Sequence, residues 1–439
     1  MTRGDSELLF SLYSWPQAIL HLDGDAFFTS CEEAIHPELR GKDLITGGER
    51  GIVACASYTA KQRGVRRGVP LHEAKRICPE LIVLPSDYET YSLFSRRMFQ
   101  VMRRFTPQVE EYSIDEAFAD VTGLRRVRHS SYETIALKIK AEIERELGIT
   151  VSVGLSLTKV LAKVASKYQK PSGMPVIPGR AIAVYLRELA VDKTWGIGPA
   201  TTNYLNKMGV RTALDFARLS EARVRESLTK PGVEIWQELR GESVYPVLPE
   251  EKSTYASISK TKTFAPPTTD PEYLFAQMLR NLESACLKAR RYDLAPKKVI
   301  SFLKENNFDT AGSEISLSRP TSYPLELSAI LRELFVTIYR PGILYRATGI
   351  ILADLAPDRN NQYSLFESPL RVEKVRELYE VVDTLNEKYG KHTLHLGGSH
   401  FMEVRGRGGR GEPTVREQTR LYGETKRRHL GLPLFHVDV

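Results

Sequence analysis

Four acidic residues stand in settings where charge is expensive. In AILHLDGDAFF, residues 18–28, an apolar strand-like run carries Asp23 and Asp25 at period two, with His21 on the same face. In VEEYSIDEAFADVTG, residues 109–123, Asp115 and Glu116 are adjacent between two strand-like runs. Neighbours in a straight strand point opposite ways, so both can serve one site only if a turn or bulge lies there. Gathered together, up to four carboxylates would repel one another strongly in an apolar setting. A hard divalent cation relieves that repulsion, and an oxygen-only donor set favours magnesium or manganese over zinc. Taken singly, each acid also fits a solvated edge.

The elements that must hold these acids alternate between helix and strand. SCEEAI begins a helix, TGGERG is a turn, GIVACAS a short strand, and a basic helix-like segment ends at Gly64, so residues 29–85 read as a small inserted module. Apolar positions recur at helical spacing over 88–106 and again over 132–147. ITVSVGLS is a strand and TKVLAKVASKY a helix, which makes the first 180 residues mixed α and β. Residues 181–243 read as short helices around WGIGPATTNYLNKMGV, and a second α plus β segment runs from 254 to 356, with a helix expected over 271–292. RGRGGRG at 405–411 is low complexity and expected to be flexible, and no internal repeat is found.

Composition sets outer limits. A chain of 439 residues is expected to split into three or four modules. With 62 basic and 54 acidic residues the net charge is +8, which permits a phosphate-tracking surface without requiring one. No apolar run approaches the ~20 residues of a membrane span, and the N-terminus lacks the pattern of a secretory signal, so a cytoplasmic protein with no membrane association is expected. Cys31, Cys55, Cys78 and Cys286 form no CxxC pair and suggest reduced thiols with no zinc site.

LDGDAFFTSCEE (22–33), ACASYTAKQRGV (54–65) and YSIDEAF (112–118), in that order, resemble the fingerprints of Y-family translesion DNA polymerases. The likeness runs from Ala18 to at least Leu396. It implies an α+β multidomain protein of right-hand polymerase architecture: a palm at 1–26 and 85–176, small fingers at 27–84, a helical thumb at 177–243, an α/β little-finger domain at 250–356, and a C-terminal tail over 357–439. By the resemblance Asp23, Asp115 and Glu116 are the catalytic acids, and with the Gly24 carbonyl they hold two magnesium ions (Mg2+), manganese (Mn2+) being an alternative.

Phe28 matches the steric gate against a ribose 2′-hydroxyl; Phe27, Tyr58, Lys61 and Lys170 match the remaining positions around the incoming triphosphate. Many relatives have Arg where Lys61 stands and Thr or Ser where Cys55 stands, which implies altered nucleotide affinity. Gly196 and Gly198 resemble a helix-hairpin-helix that meets a DNA phosphate. Lys260 and Lys262, with Arg290, Arg291, Lys297 and Lys298, could line a DNA groove. Gln362, Leu365 and Phe366 of QYSLFE resemble a peptide that docks on the bacterial sliding clamp.

The expected function is low-fidelity extension of primer-template DNA with dNTPs by a monomeric, nucleoid-associated bacterial enzyme. Two other readings compete: a catalytically inactive scaffold that binds DNA and clamp, and a generic helix-hairpin-helix DNA-binding protein. The second leaves the carboxylates and residues 18–177 without a purpose.

Overall fold

Strand β1 (Ile19–Gly24) is buried along its whole length and forms the middle of the sheet that carries the acids. The structure, a computed structural model, describes residues 14–48, 51–250, 255–358, 369–389, 392–400 and 402. The chain divides into two units, Met1–Glu251 and Lys252–Val439.

In the first unit, β1 leads into α1 (Phe27–Ile35), followed by β2 (Leu44–Thr46), β3 (Cys55–Ala56), α2 (Tyr58–Gln62), α3 (Leu71–Ile77) and β4 (Ile82–Leu84). Strands β3, β2 and β4 make a small sheet of their own, with a core of Ile45, Val53, Ala56, Ala60, Val65 and Ala74. Helix α4 (Tyr88–Arg103) precedes β5 (Val109–Glu111) and β6 (Glu116–Asp120); after the short α5 (Leu124–Val127) come α6 (Tyr132–Leu147), β7 (Val151–Ser156), α7 (Lys159–Tyr168) and β8 (Val176–Ile177). The main sheet has the order β5-β6-β1-β7-β8, with β1 antiparallel to both neighbours. Ile19 packs with Phe118 and Ala162 of α7, which puts the Ile19, His21 and Asp23 side of β1 under that helix; Leu20 and Leu22 alternate to the other face.

Helix α7 is buried from Lys159 through Ser166, lysines included. One side lies on β7 so closely that a Cβ at Gly154 would sit 2.1 Å from the Ala162 carbonyl oxygen and 2.3 Å from the Ser166 amide nitrogen. The other side joins a core built from α8 (Ile182–Glu188), α9 (Pro199–Lys207), α10 (Ala213–Ala217), α11 (Glu221–Ser227) and α12 (Lys230–Leu239), in which Val160, Leu161 and Val164 pack with Leu205, Phe216 and Trp236. The fully buried Glu238 of α12 accepts the Val160 amide at 3.1 Å and the Val244 and Tyr245 amides at 2.7 and 2.8 Å. One buried carboxylate thus caps α7 and fixes the chain leaving α12.

The second unit is an antiparallel sheet, order β11-β10-β12-β9, built from β9 (Ser257–Thr268), β10 (Leu294–Glu305), β11 (Thr310–Ser316) and β12 (Tyr345–Pro357). Helices α13 (Pro271–Arg291) and α14 (Pro324–Ile338) cover one face through Leu274, Leu282, Leu327 and Leu331 against Ile258, Val299, Leu303 and Ile350.

Much of the segment read as a tail is structured. Helix α15 (Pro369–Tyr389) packs Val375 and Tyr379 against Tyr323, and Arg290 grips Asp383 with two bonds of 2.7 and 2.8 Å. Glu283 accepts the Leu396 amide at 2.6 Å and the Ser399 hydroxyl at 2.9 Å. The clamp-like residues Gln362, Leu365 and Phe366 and the RGRGGRG stretch lie outside the described residues.

Substituting Gly154→Ala would wedge α7 off the sheet, and is expected to lower unfolding free energy by roughly 3 kcal/mol, the upper range for overpacking a core. Urea denaturation of the full chain followed by circular dichroism checks this; a loss within about 0.5 kcal/mol, the scale of neutral surface changes, would contradict the close contact.

Candidate active site

Antiparallel pairing sets Asp23 of β1 directly opposite Glu116 of β6, so their side chains leave the sheet on the same face. Asp115 joins them because the chain bends at 113–115: the Tyr112 and Ser113 amides both donate to the Glu116 carbonyl, at 3.1 and 3.0 Å. The Gly24 amide then donates to the Asp115 carbonyl at 2.8 Å, tying the bend to the end of β1. The Ser113 hydroxyl, 2.6 Å from Asp115 Oδ1, orients that carboxylate. The turn that the adjacent acids demand is present.

Gly24 is required by its neighbour, since a Cβ there would lie 2.7 Å from Phe27 Cδ2. Ala26 takes a left-handed conformation with φ of 46°, which turns the chain from β1 into α1.

Lysines balance the acids. Lys170 forms an ion pair with Asp23, and Lys163 donates to Glu116 Oε2 at 2.8 Å. Burial pushes the Asp23 carboxyl up to about 6; Lys170 pulls against this, while Glu116 and Asp115 add repulsion. Among the described residues no three acidic, histidine or cysteine side chains are gathered tightly enough to hold a metal as they stand. Asp23 and Glu116 are each paired with an ammonium group. The donor set nevertheless fits a hard cation, being all oxygen and crowded by like charge.

Asp25 does not join the acidic group. It is fully buried, accepting the Ser152 hydroxyl at 2.8 Å and the Ser172 amide at 2.7 Å, and so anchors the turn that carries Lys170. His21, on the same face as Asp23, is also fully buried, and its Nδ1 lies 2.6 Å from the Ser166 hydroxyl. Burial and then the charges of Lys163, Lys167 and Lys170 hold its pKa well below the usual imidazole value, so it sits neutral beneath the site.

Of the residues expected around a triphosphate, Tyr58, Lys61 and Lys170 lie near one another and near Asp25. The Tyr58 hydroxyl is 3.4 Å from Asp25 Oδ1, and Lys61 Nζ stands 4.3 Å from the Tyr58 ring centroid. Burial lowers the Lys61 pKa, Cys55 counters, and the Lys170 charge lowers it further, as expected for two ammonium groups facing one space. Phe28 is half-buried and stacks on Tyr91, with centroids 4.4 Å apart and an interplanar angle of 12°. Tyr91 is locked in turn by a 2.6 Å bond from its hydroxyl to Glu32. Phe27 is buried, so its ring belongs to the core beside Gly24.

Gly196 is exposed with φ of +89°, and a Cβ there would meet Ile235 Cδ1 at 2.5 Å. Packing therefore accounts for Gly196. Gly198 differs: a Cβ would meet nothing within 4 Å, yet it opens α9 with no side-chain cap and Pro199 behind it. That helix start is open to close approach by an anion.

The basic residues expected to line a groove in the second unit have different surroundings. Lys260 and Lys262 pair with Ile350 and Thr348, both buried on the side of the sheet that the helices cover. Burial, Lys288 and Arg291 together lower the Lys260 pKa. Lys298 pairs with Glu314 at 3.1 Å, and Arg290 is held by Asp383 and the Ser322 carbonyl.

Sequence reading missed Lys159 and Lys163, whose spacing with Lys167 at i, i+4 and i+8 along one helix was the available signal. It also missed Tyr112 and Trp195, whose rings meet at 5.4 Å beside the Lys163 ammonium.

Residues 22–167 match the model of the impB/mucB/samB family, and residues 255–365 match that of the impB/mucB/samB family C-terminal domain. The chain is 33% identical over 379 residues to DNA polymerase IV of Desulfatibacillum aliphaticivorans, covering 86% of this chain and 95% of that one. It is 31% identical to DNA polymerase IV of Listeria monocytogenes, covering 77% and 95%. Among solved structures, the Y-family DNA polymerase chimera Dbh-Dpo4(243-245)-Dbh aligns with a TM-score of 0.66 at 26% identity, over 77% of this chain and 99% of that one. An insertion ternary complex of Dbh DNA polymerase aligns with a TM-score of 0.54 at 25% identity, over 76% and 98%. No helix of the described residues is long and apolar enough to cross a membrane.

Proposed function

The chain belongs to the impB/mucB/samB family of Y-family DNA polymerases, and from that membership we infer a template-directed DNA polymerase that extends a primer with dNTPs past damaged template bases. The observation that carries the reading to particular residues is the register that sets Asp23 opposite Glu116, with Asp115 brought alongside by the bend at 113–115. An inactive scaffold would have no use for three like charges held together at this expense.

Polymerases of this family depend on divalent metal. We assign Asp23, Asp115, Glu116 and the Gly24 carbonyl as the groups that would hold two magnesium ions, or manganese in their place. So held, the ions would supply Lewis acidity toward the primer 3′-hydroxyl and would neutralise charge at the leaving pyrophosphate. The chain's own side chains then do the positioning. Lys61 and Lys170 offer point charges to the triphosphate, and Tyr58 adds a hydroxyl donor. Phe28, braced by Tyr91, closes the space where a ribose 2′-hydroxyl would sit. Gly198, with Gly196 shaping the turn before it, presents a helix start to a phosphate of the primer-template, and Lys260 and Lys262 add sequence-blind attraction. The enzyme works as a monomer in the bacterial cytoplasm at the nucleoid, with Gln362, Leu365 and Phe366 docking on the sliding clamp.

Primer extension with magnesium and dNTPs is the first test. Asp115→Asn with Glu116→Gln is expected to reduce the rate at least about a thousandfold, since charge stabilisation in the transition state is lost. Extension by neither chain would favour the scaffold. For the gate, Phe28→Ala should raise ribonucleotide insertion relative to deoxynucleotide by on the order of a hundredfold while sparing dNTP use, as removal of a steric exclusion does; an unchanged ratio would assign Phe28 to packing with Tyr91. Deleting residues 362–366 should leave basal extension on short primers intact and abolish stimulation by a bacterial sliding clamp; persistent stimulation would place the clamp contact elsewhere.

A further inference from the structure

Two lysines stand one turn apart on α7, and each reaches a glutamate of the adjoining strands. Lys159 Nζ is 2.7 Å from Glu110 Oε2 and Lys163 Nζ is 2.8 Å from Glu116 Oε2, both lysine side chains being only 6% exposed. The pairs have different surroundings. Glu110 also accepts the Leu248 amide at 2.8 Å, and Lys159 also donates to the Pro246 carbonyl at 3.3 Å, so that pair is a closed tie between the palm-like sheet and the chain leaving α12. Glu116 instead stands opposite Asp23, in the group of acids assigned above to the metal.

Lys163 has a second favourable environment. Its ammonium lies 4.5 Å from the Tyr112 ring centroid and 5.2 Å from that of Trp195. The two rings meet nearly perpendicular, at 87°, and are pinned by a 3.2 Å bond from Trp195 Nε1 to the Tyr112 hydroxyl. A cation held by aromatic faces can release a carboxylate without being left bare in a desolvated site. Without that cation, Glu116 would face Asp23 and Asp115 with the Lys167 charge nearby and no ammonium bonded to it.

We propose that Lys163 is the resident counter-cation of Glu116: it holds the carboxylate when no divalent ion is bound, and retires into the Tyr112–Trp195 cage when one arrives. It is a positioning residue, acting through Glu116. The inference rests on the assignment of Glu116 as a metal ligand, and it makes Lys163 a competitor that sets how much divalent ion the enzyme requires. A merely structural lysine would support the fold and leave that requirement alone.

The test is a titration of the full chain with Mn2+, free ion being counted by electron paramagnetic resonance, together with thermal unfolding in chelator and in Mn2+. Lys163→Met is expected to bind Mn2+ about three- to tenfold more tightly, the scale of a partly desolvated charge pair. It should melt lower than the natural chain in chelator and gain more from Mn2+. Lys163→Arg should keep near-natural affinity. The double variant Lys163→Met with Glu116→Gln should recover stability in chelator, because both partners of the buried pair are gone. Unchanged or weaker Mn2+ binding by Lys163→Met overturns the proposal. If Glu116→Gln weakens Mn2+ binding while Lys163→Met does not tighten it, the competitor role alone fails; if Glu116→Gln has no effect, the metal assignment fails and takes the proposal with it.

Discussion

Repulsion between carboxylates held on one face of a sheet is the constraint around which the first unit is arranged. Asp23 and Glu116 cannot separate, because the antiparallel ladder that pairs them also pairs His21 with Phe118 and Ile19 with Asp120. A one-residue slip would send Asp23 to the opposite buried face, the one that Leu20 and Leu22 fill. The charges are therefore met where they stand, by Lys170 for Asp23 and by Lys163 for Glu116. Asp25, close in sequence, is kept out of the conflict by hydroxyl and amide donors that satisfy it.

Helix α7 carries most of the response. It supplies Lys159 and Lys163, places Ser166 against His21, and leads into the turn that bears Lys170. Such a helix must be rigidly seated, and it is buried on both sides: against β7, where only glycine fits at 154, and against the helical core of residues 182–239. Because Val160, Leu161 and Val164 belong to that core, the geometry of the acids and the packing of those helices are settled by the same contacts. Glu238 reinforces this by capping α7 from α12.

The second unit distributes its charge differently. Arg290 is spent on Asp383 and Lys298 on Glu314, whereas Lys260 lies near Lys288 and Arg291 and is held below its usual pKa by burial and by them. Basic residues adjacent in sequence thus serve separate ends, because strand alternation and helix docking send them to different surfaces.

The sequence by itself determined the local elements and the chemistry of the acids. Period-two apolar runs flanked by turns marked β1, β6 and β7, and the adjacent pair Asp115–Glu116 required the bend that is found at 113–115. The order of motifs identified the family, and the match with relatives at 33% identity bears that out. Tertiary structure alone decided which acid joins which cation. That Asp25 is consumed by Ser152 and Ser172, that Phe27 is core while Phe28 is half-buried on Tyr91, and that Lys163 rests between Glu116 and two aromatic rings follow from contacts between residues far apart in the chain or from packing between elements. Local periodicity carries no record of such pairings. It fixes the face on which a side chain lies, while the partner that meets it is chosen by how helices and strands distant in the chain come to rest on one another.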